Sequence, residues 1–308
     1  MLFALGMFCY CSRAADLWVS PHWGWPAGLM DRLRGVIDGA GFADERTAPL
    51  LRALMTGDRS GLDRQTVSAF RLSGASHLLA LSGLHMGVIA VFVRRVLMVL
   101  GKSRPAEIVR SVLLVSFCLA YTIACGASPS LVRALIFVVL GQVAALSPGR
   151  RSVLSDRLCI AATVQLALDP LAISSVAFQL SYLAMIGIVS IAPRLEAWYP
   201  AAPAEGHSGQ GRPSIVRILL RLDPFRRIWK AASLAISCQL TTAPLVWLRF
   251  GNFPHYFLLT NLLAMPVCEL LLPVAILTLV LGSPAFMVRA TDFLSGLLLE
   301  ILQIISGL

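Results

Sequence analysis

Two imidazoles and a hydroxyl recur at helical spacing in the run His77-Leu78-Leu79-Ala80-Leu81-Ser82-Gly83-Leu84-His85. On a helix, positions i, i+4 and i+8 fall on roughly one face, so His77, Leu81 and His85 align and Ser82 lies beside His85. Zinc chemistry needs more ligands than two histidines, and no H-E-x-x-H accompanies them. Hydrolysis through Ser82 needs a nucleophile elbow and an orienting acid nearby, and the run has neither. Two readings stay open: polar packing that fixes helix contacts, and the wall of a wet pore. Either keeps these groups away from lipid, where they are costly. Gly83 and Gly87 form a G-x-x-x-G, which lets a neighbouring helix approach closely. The sequence assigns no catalytic residue, no metal site and no cofactor.

A second group of candidates is charged. In the loop Thr56-Gly57-Asp58-Arg59-Ser60-Gly61-Leu62-Asp63, Asp58 or Ser60 suits the cap of a following helix. The functional reading is an entrance lip: Arg59, Arg64 and Arg71 recur every five to seven residues and could guide phosphates. Asp58 and Asp63 offset them, which suits transient contact. Arg133 lies a few residues inside an apolar run, just after Pro129. It either snorkels to the interface or meets a phosphate near the mouth of a channel. Glu269, between Pro266 and Pro273, is a carboxylate deep in an apolar run and so a functional candidate. It could also be neutral, or paired with Arg249 or Arg289. Gln179, Gln239 and Asn261 are neutral hydrogen-bonding groups that suit helix contacts or a pore wall. The seven cysteines are scattered with no C-x-x-C, and most act as small hydrophobes in apolar runs.

The elements that must hold these groups are membrane spans. Of 308 residues, 57% are hydrophobic and 14% charged, against about 25% charged in soluble domains. Apolar runs fall at roughly 76–94, 109–126, 130–147, 154–168, 173–192, 230–249, 255–282 and 285–306. The fourth is short and charged near its start, which suits a tilted, re-entrant or partly inserted segment. The seventh carries two prolines, which suits a broken helix. The eighth carries Asp292 and Glu300, which suits an amphipathic surface helix. The expected fold is an all-α polytopic transmembrane bundle of six to eight spans, with room for re-entrant or broken helices.

Met1 to Tyr10 is too short to span and lacks the basic start of a secretory signal. It reads as a helix stub whose upstream half is missing. Stub and Trp-rich interfacial loop occupy 1–27, an extracytoplasmic amphipathic helical segment 28–75, a transmembrane domain 76–283, and a C-terminal apolar or amphipathic helix 284–308. Tyr199 to Pro213 reads as a flexible linker. Three basic loops, at 94–110, 150–157 and 194–230, hold 15 basic and 5 acidic residues, which is the whole net charge of +10. They alternate with nearly uncharged loops, so the positive-inside rule makes them cytoplasmic.

The stretch Leu54 to Phe92 (LMTGDRSGLDRQTVSAFRLSGASHLLALSGLHMGVIAVF) resembles the signature of the ComEC family of DNA-internalisation proteins. Ser130-Leu131-Val132-Arg133-Ala134, Asp169-Pro170-Leu171-Ala172, Phe178-Gln179-Leu180-Ser181-Tyr182-Leu183-Ala184 and Asn261-Leu262-Leu263-Ala264-Met265-Pro266 extend the resemblance over about residues 45–283. It implies an inner-membrane channel that passes single-stranded DNA during transformation, with the His77–His85 run in the channel. It also implies a cytoplasmic helicase-like translocase and an outer DNA receptor as partners; a homo-oligomer is compatible. Full-length members carry an OB-type domain ahead of this region, and many a metallo-β-lactamase-like domain after it. These 308 residues have no room for either, so a truncated or split member is expected, without nuclease activity. No G-x-x-x-x-G-K-[ST] is present to couple nucleotide hydrolysis to pulling. Two alternatives remain: a secondary transporter of a small solute, which broken helices and Glu269 would suit, and an intramembrane hydrolase.

Overall fold

The computed structural model describes residues 24–79, 83–101, 103–146, 153–199, 224–251 and 256–307. Among them the chain is helical with no strand: α1 Gly24–Asp38, α2 Thr47–Thr56, α3 Arg64–Leu72, α4 Ser76–Leu79, α5 Gly83–Val96, α6 Arg104–Ala124, α7 Pro129–Leu146, α8 Leu154–Leu168, α9 Val176–Ser190, α10 Ala192–Glu196, α11 Pro224–Phe250, α12 Phe257–Val280 and α13 Ala285–Gly307. The stub, the Trp-rich loop up to residue 23 and most of the expected linker lie outside the described residues.

Side-chain caps start several helices where the sequence changes from polar to apolar. Asp63 accepts from the Thr66 N–H at α3, Ser103 from the Ala106 N–H at α6, and Ser175 from the Phe178 N–H at α9. Each satisfies a donor that the first helical turn leaves unpaired. Gly57 ends α2 at φ +79°, a left-handed conformation in which glycine carries no Cβ penalty.

Five segments are long and apolar enough to cross a membrane: Arg104–Ala124, Pro129–Leu146, Val176–Glu196, Phe225–Phe250 and Phe257–Val280. The protein is a helical membrane protein. Three further expected spans fall outside that set among the described residues. The described α5 and α8 have 14 and 15 residues, too short alone for a hydrocarbon core of about 30 Å. The 23-residue α13 carries Arg289, Asp292 and Glu300. The expected break in α12 is not there: the helix runs on through Pro266 and Pro273.

The largest core joins the first described helices to the last two. Ile37, Leu50, Leu54, Phe70 and Leu78 pack with Cys268, Leu271 and Leu272 of α12 and with Leu298 and Leu302 of α13. Polar ties fix this N-terminal lobe. Asp292 Oδ2 accepts from the Ala43 N–H at 2.8 Å, the Thr47 and Ser295 hydroxyls meet at 2.6 Å, and Thr260 Oγ1 donates to the Ser73 carbonyl at 2.6 Å. A second core joins α5, α6 and α7 through Met86, Ile89, Leu114, Cys118 and Leu131. Ile276 of α12 packs against both cores, so α12 is the member that connects them. A third, smaller core under α8 and α9 holds Leu158, Ala172, Phe178 and Tyr182.

Candidate functional site

Arg133 sits on the second turn of α7, whose start is fixed by Ser128 Oγ accepting from the Leu131 N–H at 3.4 Å. Its side chain does not reach the surface: Arg133 is only 8% exposed. The guanidinium carbon stands 5.8 Å from the ring centroid of Tyr182 on α9, inside cation–π range. On another side lies Gly83, the first residue of α5, where an added Cβ would stand 2.9 Å from Arg133 Nη2 and 3.5 Å from Ala134 Cβ. The missing side chain at 83 is what makes room for the guanidinium.

A hydrogen-bonded frame surrounds the pair. Tyr182 donates to Gln165 Oε1 at 3.1 Å, and Gln165 Nε2 donates to the Pro129 carbonyl at 2.9 Å. Ser130 Oγ donates to Ser181 Oγ at 3.2 Å. The Phe178 ring packs on Tyr182 with centroids 4.4 Å apart. Four helices (α5, α7, α8 and α9) therefore converge on one cation. Among the described residues Arg133 Nη1 has no hydrogen-bond partner and no carboxylate pairs with the guanidinium. An arginine costs about 2.5–3.5 kcal/mol at the centre of a span on insertion scales, and the second-turn position of Arg133 lies nearer the interface than that. A cation–π contact contributes about 2 kcal/mol or more when desolvated. Chemically, the arrangement is a guanidinium with one nitrogen left without a hydrogen bond and no counter-ion among the described residues.

The other residues singled out from the sequence separate by environment. His85 is fully buried on α5, whereas His77 is exposed on α4 with Nδ1 3.2 Å from the Gly74 carbonyl. Ser82 lies outside the described residues. Gly83 is packed against α7, while Gly87 has nothing within 4 Å of a built Cβ. Gln179 Nε2 donates to the Ile173 carbonyl at 2.9 Å and so ties α9 to its own preceding turn. Gln239 Nε2 and Asn261 Oδ1 are buried without a partner among the described residues. Glu269 is exposed, on the side of α12 that also presents Leu263 and Leu270.

The loop at 57–63 forms a local turn. Asp58 Oδ1 accepts from the Ser60 N–H at 3.0 Å and the Ser60 hydroxyl at 2.7 Å, and Asp58 Oδ2 pairs with Arg34 Nε at 3.4 Å. The Ser60 bonds hold the Asp58 carboxyl below its ordinary 3.8, with Arg34 and Arg52 adding to the effect and partial burial opposing it. Arg59 Nε donates to the Leu79 carbonyl at 3.1 Å. One arginine thus meets Leu79 and another meets Gly83, at the two ends of the Leu79–Gly83 stretch. Arg64 and Arg71 are exposed on the face of α3 opposite Thr66, Ala69 and Phe70.

Gln165, Ser181 and Tyr182 belong to the frame, yet the sequence marked none of them as a site. The available signal was their polarity inside apolar runs, the same signal that drew attention to Gln179. Gly187 also went unmarked. A Cβ there would collide with the Ser237 carbonyl oxygen, so α9 and α11 approach closely at that point. Among the described residues no group of three or more His, Cys, Asp or Glu could hold a metal ion.

Comparison with known proteins adds the following. The competence protein family matches residues 54–308. ComE operon protein 3 of Bacillus subtilis (strain 168) is 30% identical over 141 residues, which cover 46% of this chain and 18% of that protein. The match thus spans less than a fifth of that relative's length. No solved structure matches the chain.

Proposed function

The chain belongs to the competence protein family, and from that premise we propose that it forms the transmembrane conduit through which single-stranded DNA enters the cell during natural transformation. The observation that carries the reading is Arg133: a buried cation with, among the described residues, an unpartnered Nη1 and no carboxylate beside it. A strand carries one negative charge per nucleotide, and passage without base readout needs positive potential and stacking surface rather than specific hydrogen bonds. Arg133 supplies the charge, the Tyr182 ring supplies a π face, and Arg59 stands beyond the far end of the Leu79–Gly83 stretch. Each contact is weak, because the strand must leave every site as readily as it enters.

In this reading the protein resides in the inner membrane with its basic loops on the cytoplasmic side. It is a conduit rather than a catalyst. A cytoplasmic helicase-like translocase pulls the strand, and an outer receptor delivers it. The continuous α12 lends no support to a broken-helix transporter.

The test is uptake of end-labelled DNA into a DNase-resistant state, in cells lacking this chain and complemented with it or with Arg133→Gln. Restoration by the native chain, and about tenfold less uptake with Arg133→Gln at equal membrane levels, is the expected result. Equal restoration by both would remove Arg133 from the path. No dependence on the chain at all would overturn the conduit.

A further inference from the structure

At the end of the bundle remote from Arg133, α10 and the first turns of α11 line a half-open cavity of about 280 Å³. Its apolar lining is Ala192, Ala231 and Leu234, the last of them exposed, and its charged groups are Glu196, Arg227 and Lys230. Ser233, only 1% exposed, also lines it, and its hydroxyl is buried without a hydrogen-bond partner among the described residues. A serine inside a helix ordinarily turns its hydroxyl back to the carbonyl four residues earlier, as Ser237 does to Ser233 at 2.6 Å. Ser233 does not, and a buried hydroxyl left unpaired costs about 1–3 kcal/mol.

The walls are held in place. Trp229 Nε1 donates to the Leu195 carbonyl at 2.9 Å, which pins α11 to α10. Trp198 nearby is 74% exposed, and tryptophans of this kind sit at the level of lipid headgroups. Lys230 and Glu196 lie 3.5 Å apart with both side chains well exposed, so their pairing is weak and easily exchanged for another partner.

We propose that this cavity binds the phosphate headgroup of an anionic glycerophospholipid of the phosphatidylglycerol type. Two cations and one carboxylate leave the lining at +1, which one phosphodiester neutralises. An aminophospholipid would bring its own cation and leave the charge in place. Arg227 and Lys230 hold the phosphate oxygens, the Ser233 hydroxyl donates to the headgroup, and the first methylenes of a chain lie on Leu234. The volume is just under the roughly 300–1,000 Å³ of pockets that enclose whole small ligands. It therefore takes the headgroup and leaves the acyl tails in the bilayer. The lipid becomes a wedge between α10 and α11, beside the point where α9 and α11 pack through Gly187.

The test is native mass spectrometry of the purified full chain in detergent. Dioleoyl phosphatidylglycerol, dioleoyl phosphatidylcholine, inorganic phosphate and a dT oligonucleotide are each titrated in turn. One phosphatidylglycerol should bind per chain, about tenfold more tightly than phosphatidylcholine, a difference of about 1.4 kcal/mol. The double variant Arg227→Gln/Lys230→Gln should lose about thirtyfold in affinity and Ser233→Ala about fivefold, in line with about 1 kcal/mol for each surface cation near a membrane and for a hydrogen bond. Glu196→Gln should bind about threefold more tightly, because it removes the repelling carboxylate; a purely structural role for Glu196 could not raise affinity. Arg94→Gln, in the last turn of α5 and in another basic cluster, should change nothing.

Equal weakening by Arg94→Gln would reduce the effect to general attraction of the basic face and overturn the site. Inorganic phosphate or the oligonucleotide binding with the same variant profile, and phosphatidylglycerol not, would overturn the lipid assignment. If the double variant does not fold, unchanged affinity in both Ser233→Ala and Glu196→Gln is sufficient to reject the proposal.

Discussion

Arginines stand in two regions of this molecule under opposite conditions. In the N-terminal lobe, Arg34, Arg46 and Arg52 each face a carboxylate within 3.4 Å: Asp31 and Asp58, Asp44, and Asp38 respectively. At the junction of α5, α7, α8 and α9, Arg133 is more deeply buried than any of these and faces a glycine and an aromatic ring instead. Pairing with a carboxylate satisfies a guanidinium permanently and makes it part of the fold. A guanidinium held by ring and backbone geometry alone keeps its charge for something else. The lobe's arginines should therefore report on stability and Arg133 on transport.

The largest effect that would sharpen this contrast is charge reversal. Arg133→Glu should lower DNA uptake about a hundredfold, Arg133→Gln about tenfold and Arg133→Lys least, where each tenfold corresponds to about 1.4 kcal/mol. Uptake is scored against membrane protein level by immunoblot. If all three variants lose uptake only in proportion to protein, Arg133 is a packing residue and the contrast collapses.

Gly83→Ala comes next, with about a threefold to fivefold loss of uptake, or about 1 kcal/mol. The new Cβ meets Arg133 Nη2 at 2.9 Å, and that atom is the far end of a flexible side chain. The guanidinium moves while the helices stay, so uptake should fall and thermal stability should not. A fall in melting temperature with unchanged uptake per molecule would reverse the assignment.

In the lobe the expectation is inverted. Asp58→Ala removes the acceptor for both Ser60 donors and the partner of Arg34, and should cost about 1–2 kcal/mol of stability while uptake per folded molecule stays normal. The same group gives a pH signature. Its folded-state pKa is depressed, so its contribution is fully present above the ordinary value of 3.8 and is lost as pH falls through the lower folded value. Acidification into that range should lower the melting temperature of the native chain more than that of Asp58→Ala. Equal acid sensitivity would mean that the turn is not stabilising.

The smallest effect separates ring from hydroxyl at Tyr182. Tyr182→Phe keeps the cation–π face and loses only the bond to Gln165, and should change uptake by less than about twofold. Tyr182→Leu should approach Arg133→Lys, because the face itself is worth about 2 kcal/mol or more when desolvated. Identical results for the two variants would show that the ring does not hold the cation.

The sequence by itself determined the membrane class, the helical fold and the family. Apolar run lengths, the clustering of basic residues in alternate loops and a set of short motifs are local properties that need no packing to be read. It also singled out Arg133, since a charge inside an apolar run is anomalous wherever the helix points. What only the tertiary structure decided was company and exposure. His77 and His85 share a helical period in the sequence, yet one is exposed and the other fully buried. Period fixes direction about one axis and says nothing of what lies there. Gln165, Ser181 and Tyr182 became a frame because three separate helices converge, and Glu269 fell on an open face because α2, α5, α11 and α13 cover other sides of α12. The lobe's union with α12 and α13 was equally illegible. Its contacts join residues about 250 positions apart, such as Ala43 with Asp292, and no local pattern carries information over that distance.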